Sequence, residues 1–417
     1  MWIFPTWQYL GFSYSSSHGN DTTHIFMTVI FCAMPSFLMP LFIKRPTMVV
    51  YWLLYLLTYI PMVVGVSLSD YFNLGEIYLF NFFALFSFFL TGIGYYFKLL
   101  TFKNFLVSHK TFWTWFWVIT CIFFGYTIFV FRDNLKVIDL FASNSAELYD
   151  FRFSGRDIEA QNPLVGYLIL WLSGAFLPFI LGYGIVYKKT IFIICGIIGQ
   201  VILYMTMANK VFILSVIFMW LIYKILKNKI PFGIVFGIVI SLFTIIFTLS
   251  QNEFSDTFKL IFFPFASLFL VRTIGVSALT SSLYYDFFKI NPHTYYSHVG
   301  IIGKYINYPY KNEMIGVVIG DHYTAISRYN INANMYITDG IVAVGLIGMP
   351  IIGLVSCGVF YLIDSAAKQH NVVFTSLLLS YAGLNIMNVS IFTSIISGGL
   401  FLTVIFLFFL KPTKQLG

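Results

Sequence analysis

The sequence predicts an all-α polytopic membrane protein, and three observations carry that fold class. Of the 417 residues, 59% are hydrophobic and 10% charged, whereas a soluble domain carries about 25% charged residues. Apolar runs of roughly 18 to 24 residues recur along the chain, the length a helix needs to cross a hydrocarbon core of about 30 Å. Cations and carboxylates gather in alternate loops, as the positive-inside rule demands of a spanning chain. The ten-residue alternation of a β-barrel does not occur.

Residues 1–23 are polar and aromatic, with Asp21 and neither Lys nor Arg. No basic segment precedes the first apolar run, so no cleavable signal peptide is expected. Spans are expected at 24–43, 47–67, 77–97 and 111–131. Lys44-Arg45, an acidic loop with Asp70 and Glu76, and the group Lys98, Lys103 and Lys110 separate them. A polar loop at 132–163 comes next. Spans at 164–187, 190–208, 211–225 and 231–250 follow, with Lys188-Lys189, the turn Asn209-Lys210, and Lys227 and Lys229 between them. The stretch 251–334 is left unclaimed as a large loop, and spans at 335–363, 372–390 and 391–410 complete the chain.

Placing residues 1–23 outside puts the Lys/Arg clusters at 44–45, 98–110, 188–189, 224–229, 368 and 411–414 inside. Those inner loops then hold one carboxylate, Asp364, and the other fifteen of the 16 fall outside. The expectation is a single membrane domain of eleven spans, N-terminus out and C-terminus in, with 132–163 and 251–334 as its outer loops. Residues 260–271 are apolar, but as a helix they reach only about 18 Å. Counting them as a crossing would move Lys411 and Lys414 outside, so they read as a re-entrant or interfacial element, tolerable at depth only when packed against protein.

The net charge of +8 therefore reports topology rather than nucleic-acid binding. Cys32, Cys121, Cys195 and Cys357 each lie in an apolar run without a C-x-x-C spacing, so buried free thiols are expected and no metal or other cofactor. There is no internal repeat, which weighs against a transporter built of repeated halves. No P-loop occurs, nor the D-x-D pair of a metal–diphosphate site.

Five of six arginines, Arg132, Arg152, Arg156, Arg272 and Arg328, fall on the outer side; only Arg45 is inside. Arginine is preferred where a planar fork grips phosphate or carboxylate. The plainer alternative is pairing with outer acids such as Asp150 and Asp157. Arg272 follows Phe269, Leu270 and Val271, and a charge in that apolar setting is a functional candidate. Lys210 breaks the positive-inside rule in a tight turn; it either snorkels to headgroups or contacts a pyrophosphate. His293, His298 and His322 offer imidazoles for general-base chemistry, with Asp321 beside His322. Asn332, Asn334 and Asp339 stand where the ninth span begins, with Asp339 about one turn deeper than Asn334. They suit either a helix cap or an anion at a helix N-terminus.

The order Tyr149-Asp150-Phe151-Arg152, an outer lysine turn, Arg272, Tyr284-Tyr285-Asp286-Phe287-Phe288, Ser297-His298, Asn332-Ala333-Asn334, Asp339-Gly340 and Gly345 resembles the bacterial O-antigen or capsular repeat-unit polymerases of the Wzy type. The resemblance covers topology over nearly the whole chain, while its specific motifs are short and sit in 272–348. It implies a GT-C-like, metal-independent membrane glycosyltransferase of the bacterial cytoplasmic membrane, related to the O-antigen ligases. Its partners would be undecaprenyl-pyrophosphate-linked glycans, membrane lipid and a chain-length regulator protein. A hydroxyl of a lipid-linked repeat would attack the anomeric carbon of the growing chain, and lipid pyrophosphate would leave. On that basis Arg272, Arg152, Arg328 and Lys210 would steady the leaving group. His298 or His322, with Asp321, would serve the base. Tyr285, Asn332, Asn334 and Asp339 would contact substrate. The competing readings are an O-antigen ligase and a flippase or exporter of lipid-linked oligosaccharide.

Overall fold

A computed structural model describes residues 21–102, 107–138, 146–250, 274–300, 302–311, 313–324, 329–387 and 389–412. Those residues form helices and connecting turns; the one β-bridge, Val107 to Leu410, is isolated. In chain order the helices are α1 (Thr22–Ala33), α2 (Thr47–Ser67), α3 (Leu74–Tyr96), α4 (His109–Asn134), α5 (Ala146–Gln161), α6 (Pro163–Val186), α7 (Thr190–Met207), α8 (Lys210–Lys227) and α9 (Phe232–Ser250). They continue with α10 (Val276–Ile290), α11 (Ile315–Tyr323), α12 (336–344), α13 (Gly348–Ala367), α14 (Val372–Leu378), α15 (Ser380–Ile386), α16 (Ile391–Ile396) and α17 (Leu400–Phe409). Among the described residues, seven helical stretches are long and apolar enough to cross a membrane. This is a helical membrane protein.

Polar contacts sort the helix ends into two groups. At one end Arg45 donates to the Gly94 and Phe97 carbonyls at 3.0 and 2.7 Å. There too the Tyr361 hydroxyl donates to the Lys98 carbonyl, Lys368 to the Thr101 hydroxyl, and the Val107 N–H to the Phe409 carbonyl. This is the lysine-rich end. At the other, His24 meets the Ser67 carbonyl at 2.7 Å, Lys289 pairs with Glu76 at 2.8 Å, and the Lys136 N–H reaches the Met205 carbonyl.

Two stretches expected as outer loops are partly helical. Within 132–163, α5 packs on the far end of α7, because Leu148 and Phe151 join Tyr204 and Ala208 in a small apolar cluster. Within 251–334, α10 is a core helix: Ala278, Leu279, Leu283 and Tyr284 are buried against α2 and α3. The segment 260–271 lies outside the described residues.

The expected ninth span, 335–363, is corrected by the structure. A straight helix over 336–367 would run to about 48 Å, far beyond a hydrocarbon core of about 30 Å. Instead the chain breaks at Val344 (φ −148°) and Gly345 (φ +73°) and folds back. Gly340 then packs on Gly348 and Met349, where a β-carbon on either glycine would strike the partner's backbone. Deeper down, the Ser356 hydroxyl reaches Met335 Sδ at 3.5 Å. Short α12 is therefore laid antiparallel on the first turns of α13. Ser356 lies about 12 Å along α13 from Gly348, so Asn334 and Met335 are the deep end of this re-entrant hairpin and Asp339 is shallower. That reverses the depth order expected for these residues.

Among the described residues three full π-helical turns interrupt the bundle. Those at Tyr55–Tyr59 and Leu172–Phe176 precede Pro61 and Pro178, whose missing N–H breaks the regular ladder. The third, Tyr336–Ile341, contains no proline and has none in the next turn; it carries Asp339. Such π turns occur frequently at functional sites.

Candidate active site at the re-entrant hairpin

The end of α12 determines what comes next to it. A helix C-terminus leaves its last carbonyls without helical partners. Here the Thr294 N–H donates to the Val342 carbonyl and the Tyr295 N–H to the Ala343 carbonyl, both at 2.9 Å. These two bonds clamp the 291–299 loop onto the hairpin. The loop then turns tightly, with Tyr295 and Tyr296 both at positive φ (49° and 64°), a conformation that costs non-glycine residues on the order of 1 kcal/mol each. The Ser297 N–H returns to the Thr294 carbonyl at 2.9 Å. The result places His298 against Asp339.

His298 Nε2 stands 3.6 Å from Asp339 Oδ1, with the His298 side chain 13% exposed and that of Asp339 fully buried. At that separation the pair is electrostatic rather than hydrogen-bonded. Asp339 Oδ2 accepts from the Ile391 N–H at 2.6 Å, at the start of α16, so the carboxylate is fixed by one oxygen and open at the other. On the far side of the imidazole, His298 Nδ1 and the Thr294 hydroxyl are 2.7 Å apart, and that hydroxyl is 3.3 Å from the Val342 carbonyl. When the hydroxyl gives its proton to the carbonyl, its oxygen accepts Nδ1–H, and Nε2 carries the lone pair. A proton taken up at Nε2 then lies beside a buried carboxylate. That is the arrangement of a general base with its counter-ion.

Buried polar atoms without hydrogen-bond partners are few in folded proteins. Four of them gather here: His298 Nε2, Asp339 Oδ1, the Tyr296 hydroxyl and His293 Nδ1. The Tyr296 ring is 6.2 Å from His298 and 6.3 Å from Phe392. Burial, then the Asp339 charge, pushes its phenol above the ordinary range, so it stays protonated. His293 stacks on Phe288 at 5.8 Å and 13° and lies against Gly345. Burial holds its imidazole toward the neutral form, opposed by the Ile341 carbonyl.

The other sequence candidates fall elsewhere. His322 and Asp321 are exposed on α11, with His322 edge-on to Phe287 and Tyr323 at 5.2 and 4.7 Å. The carboxylate that faces His298 is Asp339. Tyr285 packs between Phe72 and Phe80 in the core and presents no ring face to a ligand. Asn334 is a buried cap: its oxygen accepts from the Tyr336 and Ile337 N–H groups, and its amide donates to the Ser281 hydroxyl. Asn332 is exposed, beside Gly316 of α11.

Arg152 donates to the Ala208 carbonyl at 3.1 Å. Ala208 takes the left-handed conformation that ends α7, Asn209 caps α8, and Lys210 is the first residue of α8. The structure therefore brings Arg152 and Lys210 to one turn. Arg272 and Arg328 lie outside the described residues. Among the described residues no three His, Cys, Asp or Glu side chains form a metal-binding group. Tyr296 and Thr294 were missed from sequence; the only local signal was their nearness to Ser297-His298.

Comparison with protein-family models, with curated proteins and with solved structures gives no match.

Proposed function

We propose that this protein is a membrane glycosyltransferase that polymerises lipid-pyrophosphate-linked oligosaccharide repeats, with eleven spans, its lysine-rich end in the cytoplasm and the re-entrant hairpin facing out. The observation that carries the reading is the His298–Asp339 pair, whose facing atoms lack hydrogen-bond partners, as do the Tyr296 hydroxyl and His293 Nδ1 of the same loop, at the end opposite the lysines. In this reaction the acceptor sugar hydroxyl attacks the anomeric carbon of the growing chain. Its proton passes to His298 Nε2, where Asp339 stabilises the imidazolium. The bond from the anomeric carbon to the pyrophosphate oxygen breaks, and lipid pyrophosphate leaves as an anion. Arg152 and Lys210, gathered at one turn, are the described cations suited to that anion; Arg272 and Arg328 are assigned to it by sequence alone.

Cells producing His298→Gln as their only copy test the reading. Surface polysaccharide should stop at a single repeat while the variant reaches the membrane at the normal level. Long chains of normal abundance would sink it. Deleting the protein separates the alternatives. A polymerase leaves one repeat on its final carrier, and a ligase leaves none. A flippase leaves lipid-linked repeats on the cytoplasmic face.

A further inference from the structure

At the lysine-rich end, a groove of about 660 Å³ runs between the start of α4, the end of α6 and the start of α7. Its wall is aromatic: Trp113 packs on Tyr183 at 4.6 Å and on Phe192 at 4.7 Å, and Trp117 meets Phe192 at 5.5 Å. Its lining also holds His109, Lys110 and Lys189, and no carboxylate. Two helix N-termini border it. That of α7 is preceded by Lys189, which offers no side-chain acceptor to the first N–H groups, so the backbone adds to the positive field. The indole N–H of Trp113, in the wall, is buried and has no hydrogen-bond partner. Just beyond the groove α4 exposes Trp115, Val118, Ile119 and Ile122, an apolar face suited to lipid. A cationic mouth, an aromatic wall and an apolar flank together match one kind of occupant, an amphiphile with an anionic head.

We propose that this groove binds an anionic glycerophospholipid, with its phosphate at Lys110 and Lys189 and its first acyl segment along Trp113 and Trp117. The site is separate from the His298–Asp339 pair and rests only on the protein's being embedded in a membrane. A basic pocket between helices recognises such headgroups through charge, and the tryptophans suit the boundary between headgroup and acyl chain.

The test is native mass spectrometry of the full-length protein in non-ionic detergent, with phosphatidylglycerol or phosphatidylcholine added at equal concentration. The wild type should retain phosphatidylglycerol about tenfold better than phosphatidylcholine. Lys110→Ala/Lys189→Ala should lose about tenfold of that retention. Lys110→Arg/Lys189→Arg should keep it, and so should the control Lys98→Ala, an exposed lysine at the same end. Equal retention of the two lipids, or full retention by the double alanine variant, overturns the proposal. Displacement by excess inorganic phosphate would make this a free-anion site instead. Loss in the arginine pair would assign the effect to packing and overturn recognition by charge.

Discussion

Asp339 and Asp364 are the same residue at the same burial, 0% and 1% exposed, and each accepts from the N–H at the start of a helix distant in sequence, Ile391 of α16 and Thr47 of α2. At the lysine-rich end Asp364 uses both oxygens on Thr47: Oδ1 accepts from the Thr47 N–H at 3.0 Å and Oδ2 from its hydroxyl at 2.7 Å. At the opposite end Asp339 uses only Oδ2, on the Ile391 N–H, and leaves Oδ1 facing His298. Burying a carboxylate is costly unless its oxygens are satisfied. Asp364 meets that condition through structure alone. Asp339 meets it by half, and the open half lies beside a titratable ring. The contrast separates an aspartate that holds helices together from one that also has capacity for chemistry.

The largest effect tests that capacity directly. His298→Gln keeps a polar side chain but cannot accept a proton near neutral pH, so polymer synthesis should fall by about 100-fold or more, read from polysaccharide banding at equal protein level. Next come the paired aspartates. Asp339→Asn keeps an oxygen for the Ile391 N–H and removes the charge beside His298. It should approach the loss of the histidine variant with little change in thermal stability. Asp364→Asn should do the opposite, leaving polymer intact and costing about 1 kcal/mol of stability. If the two variants exchange phenotypes, the distinction between the aspartates is wrong.

Thr294→Val probes the other side of the ring. It removes the hydroxyl that meets Nδ1 while the backbone clamp to Val342 remains. Activity should drop about tenfold, with a shifted pH profile, since the favoured tautomer is no longer held. A variant with wild-type rate and profile would free Thr294 from any part in positioning the base. Gly345→Ala places a β-carbon at φ +73°, which should destabilise the hairpin by about 1 kcal/mol. Thermal unfolding in detergent reads it.

The smallest effect is a pH dependence present at both ends. Burial lowers the proton affinity of His370, opposed by the Leu407 carbonyl that it contacts, and burial lowers that of His293 too. For both, the folded value lies below the ordinary one near 6.5, so the unfolded chain binds more protons between them. Their stabilising contribution is complete above the ordinary value and is lost as pH falls through the folded one. His370→Gln and His293→Gln should each flatten the decline of thermal stability below about pH 6.5. An unchanged slope in both would remove these histidines as its source.

Hydropathy and charge placed the long helices, because a run of apolar residues must be buried or meet lipid wherever the chain goes. The split between lysine-bearing and acidic turns likewise needs no tertiary contact, and the structure collects Arg45, Lys98 and Lys368 at one end. The tight turn expected at Asn209-Lys210 is present, with Asn209 capping α8. The hairpin was not legible. Residues 335–363 look like one long span in hydropathy, and only the packing of Gly340 on Gly348 turns that run back on itself.

The His298–Asp339 pairing escaped the sequence for the same reason. Asp321 is next to His322 in the chain, and both are exposed on α11. His298 and Asp339 are 41 positions apart, and they meet because the orphaned carbonyls of Val342 and Ala343 capture the N–H groups of Thr294 and Tyr295. Residue composition and period thus determined that this chain is helical, membrane-embedded and polarised in charge. Which histidine faces a carboxylate, and which aspartate keeps an oxygen open, was decided by tertiary structure, because hydrogen bonds between distant segments leave no periodic trace in sequence.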